Sequence, residues 1–356
     1  MSRPDRLTNR FDFDEYEAYA DAFNPLQTDR KARRKRKPKA KHIPKKAQQE
    51  IVSEIAENIG GVEGGVSEES FATSYQPSHY EAEWLLSSLR TFYERALITD
   101  VEALVKGGKE ASVYRCTAHP STGVEYLAAK VYRPRQFRSL SNDAIYREGR
   151  GLIGADGKKI RERDKRAIRA VESRSSYGSL LAHTSWLMHE YNTLQTLYDL
   201  DLNVPRPFAS AENALLMTYY GDAGQPAPTL IEVRLDEDEA PRLFRNVMRT
   251  VEMMLSEGMI HGDLSAYNIL YWDGEATLID FPQVVDAHVN SNAYMLLERD
   301  ITRVCEYFQR YGVPCDLGHI MNTLWNRYLA PDPQNVIADQ SRFYDEDADE
   351  DDLDDV

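Results

Sequence analysis

His261-Gly262-Asp263-Leu264-Ser265-Ala266-Tyr267-Asn268, followed beyond a short hairpin by Ile279-Asp280-Phe281, is the stretch on which the reading of the whole chain turns. Its spacing places one Asp, an Asn five residues later and a second Asp on one wall of a cleft. Phosphoryl transfer from ATP needs such a trio, because positioning and charge stabilisation supply nearly all of its catalysis. Asp263 is expected to orient or deprotonate an attacking hydroxyl, and Asn268 and Asp280 to offer the hard oxygen ligands that Mg2+ prefers. The bland alternative is that Asp263 and Asn268 build a turn and Asp273-Gly274 an ordinary hairpin. His261 is expected to orient the loop through hydrogen bonds rather than to carry protons.

Working outward, Lys106-Gly107-Gly108-Lys109-Glu110-Ala111-Ser112-Val113-Tyr114 reads as a glycine turn between two strands. Its backbone amides and the Ser112 hydroxyl are placed to cradle phosphate oxygens, with Lys109 beside them, although paired glycines are also common in plain hairpins. Ala128-Ala129-Lys130 ends the next strand, where a protein kinase keeps the lysine that binds phosphates and pairs with a helix glutamate. Glu190 is the expected partner, on the first long helix that follows; the alternative is a solvated Glu on an exposed face. The catalytic stretch matches the kinase catalytic loop, with Gly262 where those enzymes usually carry Arg.

Periodicity supplies the frame. Leu85, Leu89, Phe92 and Ala96 recur at helical spacing over 81–97. Strands are expected over 101–105, 112–116, 126–132 and 214–220, and a hairpin over 270–272 and 276–279 across Asp273-Gly274. Helices are expected over 180–200, with Leu187, Tyr191, Leu194 and Tyr198 on one face, and over 241–257, with Leu243, Val247, Val251 and Met254 buried. Two more should run over 291–311 and 317–329. The charged stretch 133–179 reads as a long functional or mobile loop, with Lys158 to Arg166 a solvated helix face.

At 356 residues the chain has room for one large domain with tails, since single cores stop growing at about 250–300 residues. The net charge of −15 hides a basic run, Arg30 to Lys46, and an acidic one, Asp345 to Asp355, neither able to bury a core. Residues 1–78 and 331–356 are therefore expected to be disordered tails around a domain at 79–330. Three scattered cysteines exclude a disulfide framework and fit a reducing cytoplasm. No apolar stretch approaches the roughly 18 residues that cross a membrane, and the start of the chain does not resemble a signal peptide.

The chain resembles the RIO family of atypical serine/threonine protein kinases. The matching pieces are GKEASVY at Gly108–Tyr114, AAKVY at Ala128–Tyr132, HEYNTL at His189–Leu194, QPAPTL at Gln225–Leu230, HGDLSAYNIL from His261 and IDFPQ from Ile279. The PAP stretch and the charged insert are similar to the type-one branch, IDFPQ to the type-two branch. The resemblance implies an α+β, bilobal protein-kinase-like fold of trimmed type: a small antiparallel-sheet lobe, a mainly helical large lobe, and no activation loop. It implies that the backbone of Thr218 and Tyr220 holds adenine and that Met217 lines the back of the pocket. It implies that Asp280 itself can be phosphorylated during ATP turnover, a carboxylate being a competent nucleophile. It also implies an autophosphorylated serine near the insert, with Ser139, Ser141, Ser173, Ser175 and Ser176 as candidates.

Three functions follow as expectations. The leading one is a protein serine kinase or ATPase that uses MgATP. The second is a small-molecule kinase of the aminoglycoside or choline type, which shares HGD and a later Asp but usually lacks GKEASVY. The third is a nucleotide-gated assembly factor on ribosomal or other RNA, its basic arm neutralising phosphates. For that arm the competing reading is a solubilising segment that contacts the acidic tail in cis.

Overall fold

The computed structural model describes residues 71–330, apart from 72, 78, 109, 133–144, 147, 162–163 and 174. The basic run, the acidic tail, Lys109, Ser139 and Ser141 lie outside the described residues. The chain already packs at Phe71, which is buried against Tyr93, and at Tyr75, whose N–H donates to Val101 O, ahead of the expected domain start at 79. No helix among the described residues is long and apolar enough to cross a membrane.

The small lobe opens with α1 (His79–Glu94), whose Leu85, Leu89 and Phe92 are wholly buried. Ala96 does not share that face: the helix ends two residues earlier, and Ala96 turns the chain with a positive φ of 51°. Strands β1 (Ile98–Gly107), β2 (Ala111–Ala118) and β3 (Tyr126–Tyr132) follow. After the insert come α2 (Lys165–Glu172), α3 (Ser176–Asp199), β4 (Pro207–Ser210) and β5 (Ala214–Thr218). Among the described residues, five strands form one antiparallel sheet in the order β1-β2-β3-β5-β4. One face of it packs on α1 through Val101, Tyr114, Leu127, Ala129 and Leu216. Strand β4, too short to show alternation, was not expected from the sequence.

The insert is not one structureless loop. Gly157, at φ 76°, closes a turn in which the Asp156 carboxylate accepts the Lys158 N–H, and Ile153 bridges Lys159. The helix starts only at Lys165, behind an Asp164 cap that accepts the Ala167 N–H, so the charged run is a turn and bridge before it is a helix. In α3, Leu187, Leu194 and Leu197 are buried, whereas Tyr198 is 39% exposed and does not belong to the core face. Ser175 caps α3, its Oγ accepting the Gly178 N–H and donating to Ala170 O; Ser173 Oγ also donates to Ala170 O.

The large lobe is built by α4 (Ala240–Ser256), the short strand β6 (Met259–Ile260), the hairpin β7 (Ile269–Trp272) and β8 (Glu275–Leu278), β9 (Val285–Asp286), α5 (Ala293–Gln309) and α6 (Leu317–Tyr328). Asp273 and Gly274 both have positive φ, 50° and 76°, the twist that a two-residue hairpin requires. Leu243, Val247 and Met254 of α4 meet Ile269, Leu278 and Phe281 and the inner face of α5 in one core. β6 pairs with β9 and brackets the catalytic loop at its base.

Leu89→Ala is expected to lower the unfolding free energy by about 2–5 kcal/mol, because the α1–sheet core cannot collapse onto a missing isobutyl group. Urea denaturation of the full chain measures it.

Candidate active site

Lys130 sits in β3 opposite Val113 of β2 and Leu215 of β5, so its side chain leaves the sheet on the face turned away from α1. There its Nζ lies 2.6 Å from Glu190 Oε1 and 2.5 Å from Asp280 Oδ1. Glu190 is 1% exposed, and its second oxygen accepts the Tyr132 hydroxyl. Burial pulls the Lys130 ammonium down, but Asp280 and Glu190 together outweigh it and hold it above its ordinary value. For Glu190 burial wins and its carboxyl is pushed up, while Asp280, with 41% of its side chain exposed, is held down by Lys130 against the effect of burial. Asp280 adopts φ 73°, a left-handed conformation sparsely used outside glycine, which turns its carboxylate from the end of the hairpin toward Lys130.

The loop 261–268 is held from both ends. His261 is buried; its Nδ1 accepts the Asp263 N–H at 3.3 Å, which leaves Nε2–H to donate to Ile279 O at 3.2 Å. Burial lowers its pKa, in keeping with a neutral ring that orients the loop. The Asn268 side-chain amide donates to Asp263 O at 2.8 Å and to Asp263 Oδ2 at 3.2 Å, and Asn268 O accepts the Ile279 N–H at 3.0 Å. The structure thus joins Lys130 to Glu190 and Asp280, and Asn268 to Asp263.

Four charged residues were missed. Asp300, on α5, is 2% exposed and accepts the Gly262 N–H at 2.8 Å and the Leu264 N–H at 3.1 Å. Arg299 donates to Gly262 O and to the Tyr146 hydroxyl of the insert. Arg303 donates to Asp263 Oδ1 at 2.9 Å. Lys106, at the end of β1, is lowered by burial against the opposing charges of Asp280, Glu232 and Asp263. A signal existed for two of them. Leu296, Asp300, Arg303 and Tyr307 fall on one helical stripe, and a charge at an apolar stripe position marks a buried role. Gly262 is required here: its φ is 79°, and a Cβ would lie 2.5 Å from Gln283 O.

The nucleotide-side candidates differ in exposure, Ser112 being buried and Met217, Thr218 and Tyr220 half-buried. Ser112 is 3% exposed, between Gly107 and Val131 in the sheet. Met217 and Thr218 close β5; the Thr218 N–H donates to Arg206 O, and the Tyr220 carbonyl accepts the Ala227 N–H. These bonds fix the segment between the lobes and take up two of its main-chain groups.

Among the described residues no group of three or more His, Cys, Asp or Glu converges as a metal cage. The donors present fit magnesium nonetheless. That ion is commonly held by one or two carboxylates while phosphates and water complete its octahedron. Asp280 would supply the carboxylate, and the Asn268 amide oxygen would be the second donor, its nitrogen being engaged with Asp263.

The RIO domain model matches residues 153–320, which hold α3, the catalytic loop and Asp280. The RIO-type serine/threonine-protein kinase Rio1 of Methanocaldococcus jannaschii is 29% identical over 245 residues, 67% of this chain and 73% of that protein. Rio1 of Thermoplasma acidophilum is 34% identical over 131 residues, 37% of this chain and 67% of that protein. Human serine/threonine-protein kinase RIO1 is 27% identical over 62% of this chain, which spans only 35% of the human protein. A solved Rio2 kinase–ADP/Mg2+–phosphoaspartate complex from Chaetomium thermophilum aligns over 78% of this chain and 75% of that chain at 19% identity with a TM-score of 0.46.

Between its ordinary 3.8 and about 7, the folded chain keeps a proton on the burial-raised Asp300 that the unfolded chain has released, so this group makes the fold less stable as pH rises. His189, which donates to Val284 O and is lowered to about 4 by burial, acts oppositely between about 4 and 6.5, where the folded chain binds fewer protons. Asp300→Asn is therefore expected to make unfolding free energy climb more steeply with pH across that shared window than in the parent chain. Denaturant midpoints at several pH values test it; parallel profiles would show that Asp300 is ionised throughout.

Proposed function

We propose, because the chain belongs to the RIO family of serine/threonine protein kinases, that this cleft moves the γ-phosphoryl group of ATP onto a serine or threonine hydroxyl, with magnesium held by Asn268 and Asp280. The observation that carries the reading is Lys130, its ammonium 2.6 Å from Glu190 and 2.5 Å from Asp280, beside a catalytic loop whose Asp263 is fixed by Asn268. Lys130 then grips phosphate oxygens. Asp263 accepts a hydrogen bond from the acceptor hydroxyl and aligns it with phosphorus, and the departing proton has a carboxylate in reach. Magnesium, when bound, spreads the charge that builds on the bridging oxygens. Adenine lies against Met217, with Thr218 and Tyr220 supplying main-chain contacts, and Ser112 faces the phosphates.

The test is incubation of the full chain with Mg2+ and γ-labelled ATP, following label on protein and free phosphate together. Acid-stable label on serine or threonine is expected. Asp263→Asn should slow transfer by roughly 10²- to 10⁴-fold, the usual worth of a positioned acid–base group. Asp280→Asn should also abolish it. Hydroxylamine-sensitive label with phosphate release would make Asp280 the nucleophile of an ATPase, and a parent chain with no turnover would overturn the reading. Lys130→Ala should weaken ATP use and, by leaving Glu190 buried without its cation, cost about 3–5 kcal/mol of stability.

A further inference from the structure

Arg303 is 3% exposed and lies on α5, one turn past the two residues that clasp the catalytic loop. Its Nη1 is 2.9 Å from Asp263 Oδ1, while Asn268 Nδ2 approaches the other oxygen of the same carboxylate at 3.2 Å. The carboxylate is therefore gripped at both oxygens by groups from two different elements. A planar guanidinium on a buried helix face holds direction as well as charge, which a flexible ammonium would not. The backbone beneath is fixed by the same helix, because Asp300 accepts the N–H groups of Gly262 and Leu264 and Arg299 donates to Gly262 O.

We propose that Arg303 is a positioning residue for phosphoryl transfer: it sets the orientation of the Asp263 carboxylate, so that α5 rather than the loop alone decides where the acceptor hydroxyl is held. The inference rests on the reading of Asp263 as the acceptor-orienting group. Arg303 acts through Asp263, which separates it from Lys130.

The experiment uses the full chain with Arg303→Met, similar in length and uncharged, and Arg303→Lys, which keeps the buried charge where the Met variant fails to fold. Affinity for a fluorescent ATP analogue with Mg2+ and the single-turnover rate of γ-phosphoryl transfer are both measured. Arg303→Met should leave affinity within about twofold and slow transfer by about 10²-fold, the scale of a misplacement near 1 Å, with Arg303→Lys recovering part of the loss. The double variant Asp263→Asn/Arg303→Met should be no slower than Asp263→Asn alone, since residues that act as a unit are not additive. A transfer rate within threefold of the parent, equal losses in affinity and rate, or additive losses in the double variant would each overturn the proposal. Turnover by the parent chain and its loss in Asp263→Asn test the underlying kinase reading separately.

Discussion

One ammonium between two carboxylates joins the parts of this molecule that chemistry needs together. Lys130 belongs to the sheet, Glu190 to the long helix α3, and Asp280 to the end of the β7–β8 hairpin in the other lobe. Burying Lys130 and Glu190 is expensive for either alone and tolerable only as a pair. Each element is thereby constrained: β3 must run in the register that sets Lys130 opposite Val113, and α3 must rotate so that Glu190 faces inward and not toward water. The left-handed backbone at Asp280 fits the same requirement, a local conformational cost kept where a carboxylate must be aimed.

The second charged cluster does for the catalytic loop what the first does for the lobes. A segment with almost no regular structure, 261–268, would hold Asp263 loosely if its main chain were satisfied by water. Instead its N–H groups and carbonyls are taken by Asp300, Arg299, Asn268 and the 279 backbone. Stiffness is thus borrowed from α5, whose opposite side is anchored by Leu297, Ile301 and Phe308 in the core. The insert adds to the same surface: Tyr146 meets Arg299, Asn290 donates to Ile145 O, and Ser291 and Asn292 donate to Glu148. A stretch that looks like a surface loop is tied to the residues after the IDFPQ segment.

Local signals were strong wherever one short stretch carried both a period and a turn. The strand around Lys130, the hairpin across Asp273-Gly274 and the apolar face of α4 could be read directly, because alternation, positive-φ residues and a 3.6-residue repeat are properties of neighbours in sequence. Errors fell where the repeat ran past a helix end, as at Ala96, or where an aromatic at the right spacing faced solvent, as at Tyr198. Strand β4 escaped because four residues are too few to show alternation, and it is defined by pairing with β5.

By itself the sequence determined the chemistry on offer: an Asp, an Asn and a second Asp at kinase spacing, a lysine at the end of a strand and a glutamate on the helix after it. Those residues lie in motifs whose members are close along the chain, and so is the pattern that identifies them. Tertiary structure alone decided that Lys130 contacts Asp280 as well as Glu190, and that Asp300, Arg299 and Arg303 close around Asp263 and its loop. These contacts join residues 36 to 150 positions apart. No local rule specifies such pairs; they exist because burying a charge demands a partner, and only the folded core determines which one is near.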